Sequence, residues 1–182
     1  STTVNKGTTS SGGGSSSGSS HRHSYATAWS YDDTYHWHAS TCGPDVVSGK
    51  ANHSFIDGVC SVCGQIDPTT AVAKIGSKNY KTLAEAINAA DAGDTVTLVE
   101  NSSENFVVPS GKDITLDLNG YEITTSKQPK IEEGGSLTIR GEGGSIILEK
   151  DGIYLEGSLT LESGKIESKK PSDVIFIMGN GN

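Results

Sequence analysis

Three short stretches decide the fold: residues 114–118 read ITLDL, residues 137–141 read LTIRG and residues 159–163 read LTLES. Their first residues lie 23 and 22 positions apart. When the stretches are aligned, apolar residues share the first and third positions and threonine shares the second. A repeat of this period, built from short strands, is typical of a solenoid whose coils bury their apolar sides only against one another. The sequence therefore predicts stacked coils.

Each predicted coil carries further strands. A second strand is predicted at residues 121–123, 145–148 and 165–167, and a third at residues 153–155 and 174–177. Residues 95–99 (TVTLV) read as an earlier rung. The glycine pairs at residues 134–135 and 143–144 supply corners, because glycine adopts positive φ at little cost.

A short helix is predicted ahead of the coils. Thr82 and Glu85 form the pattern of a capping box, in which each side chain accepts from or reaches toward the other residue's backbone. Apolar residues follow at helical spacing, and residues 91–93 (DAG) end the helix. We expect its single apolar face to cover the open end of the solenoid core.

The sequence also resembles a known fold family in this region. YKTLAEAINAA at residues 80–90, GDTVTL at 93–98 and LDLNG at 116–120 resemble the opening of pectate-lyase-like β-helices. The resemblance covers roughly residues 72–179 and implies a mostly β fold: the N-terminal coils of a right-handed parallel β-helix with a short capping helix. It implies no single function, because that superfamily includes lyases, hydrolases, esterases and adhesins.

Composition divides the 182 residues into three regions. Residues 1–20 are mostly Gly, Ser and Thr and predict a flexible linker. Residues 21–67 crowd aromatics, histidines and cysteines together and predict a small zinc-stabilised module, since so few aliphatic residues need a staple. Residues 68–182 predict the β-helix, truncated at its C-terminus, and we expect the native chain to continue at both ends.

Charge and hydropathy exclude two classes of partner. The formal net charge is −8 and the basic residues are scattered, whereas nucleic-acid binding needs clustered Lys and Arg. No apolar stretch approaches the 18 residues of a membrane span, so we expect no membrane insertion.

Cysteines and histidines of the predicted module have the spacing of a metal site. Cys60 and Cys63 form a C-x2-C knuckle, with Cys42 and His53 upstream. Three thiolates and one imidazole fill a tetrahedral zinc shell, the pattern of a structural site. His36 or His38 could replace His53. The alternative is a disulfide, Cys60–Cys63 or Cys42–Cys60, with one spare thiol.

A second resemblance concerns this module. Trp29-Ser-Tyr-Asp-Asp, His36-Trp-His38 and the segment from His53 to Gly64 resemble small Cys/His modules repeated in surface proteins of Gram-positive bacteria. The match implies that Cys42, His53, Cys60 and Cys63 are the metal ligands, that the metal is structural, and that the protein is secreted or lies at the cell surface. This chain departs from the pattern at Ser40, where those modules often have a cysteine.

Aligned coils place Asp117, Arg140 and Glu162 in one outward column. Such a column favours a neutral salt-bridge ladder, and the alternative is contact with a glycan, to which Tyr121 and Tyr154 could contribute.

Residues 72–182 hold no histidine and no repeated acidic cluster, so no catalytic constellation is recognisable in this fragment. The sequence leaves enzymatic activity open and favours a non-catalytic module of a secreted or cell-surface bacterial protein. Its β-helix would serve as an adhesion or presentation scaffold toward polysaccharide or a host or cell-surface glycan. The alternative is the N-terminal part of a polysaccharide lyase or hydrolase whose active site lies beyond residue 182.

Overall fold

The structure, a computed structural model, describes residues 22–43, 46–150, 152–170 and 175–177. The linker predicted at residues 1–20 lies outside the described residues. The predicted boundaries of the module and the β-helix stay predictions, but the described residues fall into an N-terminal unit of antiparallel strands and a parallel solenoid.

The N-terminal unit is built from two small antiparallel sheets. Its strands are β1 (Ser30–Tyr31), β2 (Tyr35–Ala39), β3 (Val47–Asn52), β4 (Phe55–Ile56) and β5 (Val59–Cys60). β2 is the middle strand of the sheet β1-β2-β3, and β4 pairs with β5 in a tight hairpin. A 3-10 turn at Pro68–Thr70 leads out of this unit.

A hairpin and one helix follow: β6 (Ala73–Ile75), β7 (Lys78–Tyr80) and α1 (Leu83–Ala89). The predicted N-cap is confirmed, because Thr82 Oγ1 accepts a hydrogen bond from the Glu85 backbone amide at 3.1 Å. The helix buries Leu83, Ala86 and Ile87 completely. All three join the hydrophobic core of the solenoid, so α1 covers that core at its N-terminal end.

Eleven further strands form the solenoid, among the described residues. They are β8 (Thr95–Leu98), β9 (Val107–Val108), β10 (Asp113–Asp117), β11 (Glu122–Thr125), β12 (Lys130–Ile131), β13 (Ser136–Arg140), β14 (Ser145–Leu148), β15 (Ile153–Leu155), β16 (Ser158–Leu161), β17 (Lys165–Ser168) and β18 (Ile175–Ile177). They form three stacks of parallel strands, β8-β10-β13-β16, β11-β14-β17 and β9-β12-β15-β18. The mostly β fold and its parallel β-helix of about three turns are confirmed.

The register of the stack agrees with the repeat in the sequence. Ile114 pairs with Leu137, which pairs with Leu159. The threonines of the same strands pair in the same way one residue later. Inward side chains such as Leu116 and Ile139 are fully buried, and each buried Leu or Ile contributes roughly 1.5–3 kcal/mol to stability.

The glycine pair Gly134-Gly135 shows why two glycines are needed at a corner. Gly134 has φ of +75°, a conformation that side chains with Cβ disfavour. A Cβ on Gly135 would lie 3.0 Å from the carbonyl oxygens of Glu132 and Pro109. The first glycine provides the turn and the second lets adjacent coils approach.

Buried polar side chains join the N-terminal unit to the first hairpin of the solenoid. Gln65 Nε2 donates to the Ser77 carbonyl oxygen at 2.7 Å, and Asn79 Nδ2 donates to the Ile66 carbonyl oxygen at 3.2 Å. Gln65 and Asn79 are 2% and 4% exposed. Because buried amides are costly to leave unpaired, these bonds specify how the unit docks on the hairpin.

The buried stack predicts a large effect of truncating one inward side chain. Ile139→Ala should lower the free energy of unfolding by about 2–5 kcal/mol, since it leaves a cavity between two coils. Thr138→Ala, on the outward side of the same strand, should change it by about 0.5 kcal/mol or less. Urea unfolding followed by circular dichroism measures both, and equal effects would contradict the inward assignment of Ile139.

Candidate metal centre

The C-x2-C knuckle is shaped by backbone hydrogen bonds. The Cys60 amide donates to the Gln65 carbonyl oxygen at 2.7 Å, and the Gly64 amide donates to the Cys60 carbonyl oxygen at 2.9 Å. Gly64 has φ of +76°, which lets the chain turn back on itself. The two cysteines flanking this turn therefore present their sulfur atoms to one site.

Two histidines reach the same site from the three-stranded sheet. His36 lies in β2 and is 4% exposed. His53 follows β3, and its amide donates to the Thr34 carbonyl oxygen at 3.1 Å, which ties it to the start of β2. The hairpin β4–β5 then brings the knuckle back to both imidazoles.

The four side chains meet closely enough to bind a metal ion. Ligand atoms of His36, His53, Cys60 and Cys63 all lie within 4.8 Å of one another. His53 Nδ1 lies 3.5 Å from His36 Nδ1 and 3.4 Å from Cys63 Sγ. Cys60 Sγ lies 3.8 Å from His36 Nδ1. No disulfide bond occurs among the described residues, so the knuckle keeps both thiols.

A backbone carbonyl orients His53. Its Nε2 donates to the Asp32 carbonyl oxygen at 2.9 Å, which leaves Nδ1 with a lone pair facing the site. The Asp32 carboxylate accepts from the amides of Thr34 and Tyr35 at 2.8 and 2.7 Å. These bonds lower the pKa of Asp32 and hold its carbonyl in place. A carbonyl that fixes the tautomer of a histidine ligand is a common feature of metal sites.

Electrostatics prepare one thiol for ligation. Burial opposes ionisation of Cys60, but hydrogen bonds from the amides of Cys63 and Val62 and the side-chain contact with His53 lower its pKa to about 5. Burial raises the pKa of Cys63, and the neighbouring Cys60 adds to this. Burial works against protonation of His53, yet its bonds to Asp32 and Cys60 raise its pKa. The close approach of these groups therefore changes the pKa of three of the four side chains.

Aromatic rings shield the cluster. The Trp29 ring packs edge-on against His36 with a centroid distance of 4.8 Å, and Phe55 lies 5.3 Å from His53. On the opposite face of β2, Lys50 Nζ lies 4.4 Å from the Tyr35 ring centroid. The alternation of β2 therefore turns His36 toward the metal centre and Tyr35 away from it.

The structure brings together three of the four ligands predicted from spacing: His53, Cys60 and Cys63. His36, one of the two alternates, completes the cluster. Cys42 is not part of it: its Sγ lies 3.4 Å from His23 Nδ1 and 3.2 Å from Ser40 Oγ. His38, the other alternate, donates from Nδ1 to the Ala28 carbonyl oxygen at 3.2 Å.

His38 also stacks on Trp29 with a centroid distance of 3.8 Å. A shift in register between His36 and His38 separates the two histidines. Asp32 and Trp29, which position the cluster, were missed as supporting residues. The turn sequence Asp32-Asp-Thr was a signal for the side-chain hydrogen bonds of Asp32. Nothing in the sequence signalled that its backbone carbonyl accepts from His53.

The residues predicted for glycan contact lie on the solenoid surface. Asp117 and Arg140 form an ion pair with 3.1 Å between Oδ2 and Nε. The Glu162 backbone amide donates to the Ile139 carbonyl oxygen, and the Glu162 side chain is exposed. Lys130 Nζ lies 5.5 Å from the Tyr154 ring centroid and 2.9 Å from a Glu156 carboxylate oxygen.

The hydrogen bond between the Lys130 and Glu156 side chains raises the pKa of Lys130 and lowers the pKa of Glu156. Tyr121 is half-buried and packs against the solenoid core. Charged groups on this surface are therefore partly paired with each other, and glycan contact by these residues stays a prediction.

Comparison with known proteins identified no relatives. No protein-family model matches the chain, and neither the curated proteins nor the solved structures gave a match. The two resemblances noted in the sequence therefore stay predictions. Within the described residues, no helix has the length and hydropathy needed to cross a lipid bilayer.

Substitution of Asp32 tests whether the residues that orient His53 support metal binding. Asp32→Ala should weaken divalent-metal binding by about tenfold or more, because the backbone carbonyl that orients His53 is no longer held in place by the side-chain bonds of residue 32. Asp32→Asn should bind nearly as tightly, since its side-chain oxygen can accept the same amide bonds. Titration with Co²⁺, followed by its thiolate absorption, measures the affinity.

The matched control is Asp33→Ala, which removes the exposed neighbouring carboxylate. Equal loss in Asp32→Ala and Asp33→Ala would mean that net charge, not the turn, supports the site.

Proposed function

We propose that the His36, His53, Cys60 and Cys63 cluster is a structural zinc site and that the chain is a non-catalytic scaffold of a secreted or cell-surface bacterial protein. The observation that carries this proposal is the closed set of two imidazoles and two thiols beside the docking contact of Gln65. The zinc unit would act as a rigid cap on the N-terminal end of the β-helix.

The donor set fits zinc. Zinc binds nitrogen at about 2.0–2.1 Å and sulfur at about 2.3 Å in a tetrahedron, so its donor atoms lie about 3.3–3.8 Å apart. Three of the distances between these donor atoms are 3.4, 3.5 and 3.8 Å, and all four atoms lie within 4.8 Å of one another. Thiolate ligands favour zinc over magnesium or calcium, which prefer oxygen.

A closed shell supports a structural role. Four protein donors leave no position for water or substrate, whereas catalytic zinc keeps one open. Zinc would neutralise the thiolates, and the chain itself supplies the arrangement: His53 is oriented by the Asp32 carbonyl, and the knuckle by its own amides. A unit whose buried hydrophobic side chains are so few gains most of its folding free energy from such a site.

The zinc unit would stabilise the solenoid as well as itself. Cys63, Gly64 and Gln65 are consecutive, and Gln65 accepts from the Asn79 amide at 3.4 Å in addition to donating to Ser77. Holding Cys63 on a metal therefore holds the residue that pairs with the β6–β7 hairpin. This continuity supports a scaffold in which the two units move as one.

The scaffold proposal extends to glycans as the partner and to the exterior of the cell as the location. Support comes from the resemblance of the cysteine-rich region to bacterial surface modules. The competing proposal, part of a polysaccharide lyase or hydrolase, draws no support from the metal cluster, because its four side chains include no carboxylate.

Zinc content and ligand variants test the proposal directly. The purified chain should contain one zinc ion, and His36→Ala should lower zinc affinity by more than about 100-fold, beyond the loss expected for an outer partner. His38→Ala and Cys42→Ser should retain zinc, because both residues lie outside the cluster. Competition with a chromophoric chelator measures each affinity.

Cys42→Ser also simplifies thiol titration. In that variant the two remaining thiols should react with a thiol reagent only after chelation, because zinc protects them. If the Cys42→Ser variant lost zinc while the His36→Ala variant kept it, the ligand set predicted from spacing, which includes Cys42, would be correct instead. If the Cys42→Ser variant contained no zinc and no reactive thiol, Cys60 and Cys63 would form a disulfide, and the metal site would be contradicted.

The docking contact generates a separate prediction. Gln65→Ala should lower the stability of the β6–β7 hairpin by about 1–3 kcal/mol, since Asn79 and Ser77 lose buried partners. Hydrogen exchange of the backbone amides of residues 73–80 should become faster in this variant. Removal of zinc by a chelator should make exchange of the same amides faster in the unsubstituted chain. Gln128→Ala, at a partly exposed glutamine of the solenoid, is the control. Unchanged exchange in the zinc-free protein would contradict the coupling.

A further inference from the structure

A cleft lies where the zinc unit meets the capping helix. It has a volume of about 740 Å³, and its walls come from both units. The side chains that carry its chemistry are Tyr31, Gln65, Lys78, Tyr80, Glu85 and Asn88. This volume falls in the range of small-molecule sites, which often form where two structural units meet.

The lining combines aromatic rings with hydrogen-bonding groups. Tyr31 and Tyr80 are half-buried, so each ring offers part of a face together with a polar hydroxyl. Glu85 and Asn88 are exposed on the side of α1, where their carboxylate and amide can accept and donate. Lys78 Nζ lies 5.1 Å from the Tyr80 ring centroid and adds a third kind of donor.

The two tyrosines and the lysine act on one another across the boundary between the units. Burial raises the pKa of Tyr31, while the Lys78 ammonium opposes this shift and Tyr80 adds to it. Tyr31 belongs to β1, whereas Lys78 and Tyr80 belong to β7. The cleft is therefore a shared surface of both units.

The charge of the lining indicates what kind of ligand it accepts. Lys78 and Glu85 are its two charged side chains, of opposite sign, so a strongly anionic or cationic ligand would meet one repulsive partner. The remaining groups are phenols, amides and ring faces. That combination suits a neutral molecule with many hydroxyl groups and an apolar face.

We propose that this cleft binds one or two residues of a neutral saccharide, with Tyr80 against the sugar face and Asn88 and Glu85 bonded to its hydroxyls. The proposal deepens the glycan-binding part of the proposed function and rests on it. It moves the contact from the solenoid surface, where Asp117 is paired with Arg140, to the inter-unit boundary.

Metal binding enters this proposal through one wall of the cleft. Cys63, Gly64 and Gln65 line it directly, and Cys63 belongs to the metal cluster. Without a metal, Cys63 would lose its anchor, and Gln65, two residues later, would be held less firmly against the β6–β7 hairpin. Saccharide affinity should therefore fall when zinc is removed.

The test uses the full zinc-loaded chain and four probes: cellohexaose, laminarihexaose, chitohexaose and, as an anionic comparison, hexagalacturonate. Nuclear magnetic resonance of the ¹⁵N-labelled chain locates binding, and calorimetry measures affinity. At least one neutral probe should shift the amides of Tyr31, Lys78 and Asn88. Asn88→Ala should weaken binding about three- to tenfold, the effect of one lost hydrogen bond.

Ala89→Trp is the stronger variant, because Ala89 is an exposed wall residue and a large ring there fills the cleft. It should abolish binding while leaving the unfolding temperature nearly unchanged. Tyr154→Ala on the solenoid and Asn52→Ala on β3 are matched controls that should bind normally.

The outcomes separate cleanly. Absence of shifts with every neutral probe, binding of hexagalacturonate alone, or loss of binding in Tyr154→Ala but not in Ala89→Trp would each overturn the cleft assignment. Zinc content and hydrogen exchange are measured on the same samples. If the zinc-loaded chain keeps its slow hydrogen exchange but binds no sugar, the zinc proposal still holds and the cleft proposal is wrong. If sugar binds equally well without zinc, the cleft proposal holds and its dependence on the metal is wrong.

Discussion

Each coil of a β-solenoid can bury its inward side chains only against the coils above and below it, and the rest of this structure follows from that constraint. Leu116 and Ile139 are covered because β8, β10, β13 and β16 stack in register. The first coil has no predecessor, so its apolar side needs another cover. The buried stripe of α1 supplies part of it, and the β6–β7 hairpin extends the sheet beyond β8 by antiparallel pairing.

That hairpin would itself be an unprotected edge, and the N-terminal unit packs against it through polar contacts. Gln65 and Asn79 satisfy backbone groups there. Polar docking of this kind tolerates little rotation, because a buried amide that loses its partner costs about 1–3 kcal/mol. A unit that must hold such an orientation needs internal rigidity, and a metal ion held by the four converging side chains would provide more of it than the short strands can.

Much of the solenoid was predictable because its information is local and repeated. The 22- and 23-residue spacing gave the pairing of Ile114, Leu137 and Leu159 directly, and Thr82 with Glu85 marked the helix start. The metal cluster was predictable only in part. Cys60 and Cys63 are close in sequence, but the choice of His36 over His38 depends on a register shift in β2, which spacing does not encode. The role of the Asp32 backbone carbonyl could not be predicted from the sequence, because every residue has a backbone carbonyl.

The same distinction explains where a binding site can arise in this fold. On the solenoid, each outward residue faces its counterpart in the next coil, so the stacking that stabilises the sheet also brings opposite charges together, as Asp117 and Arg140 show. At the boundary between the units the repeat ends, and side chains such as Tyr31 and Asn88 face a unit of different shape instead of a copy of their own coil. Their polar groups are free of that stacking requirement, and the gap between two unlike surfaces becomes a cleft.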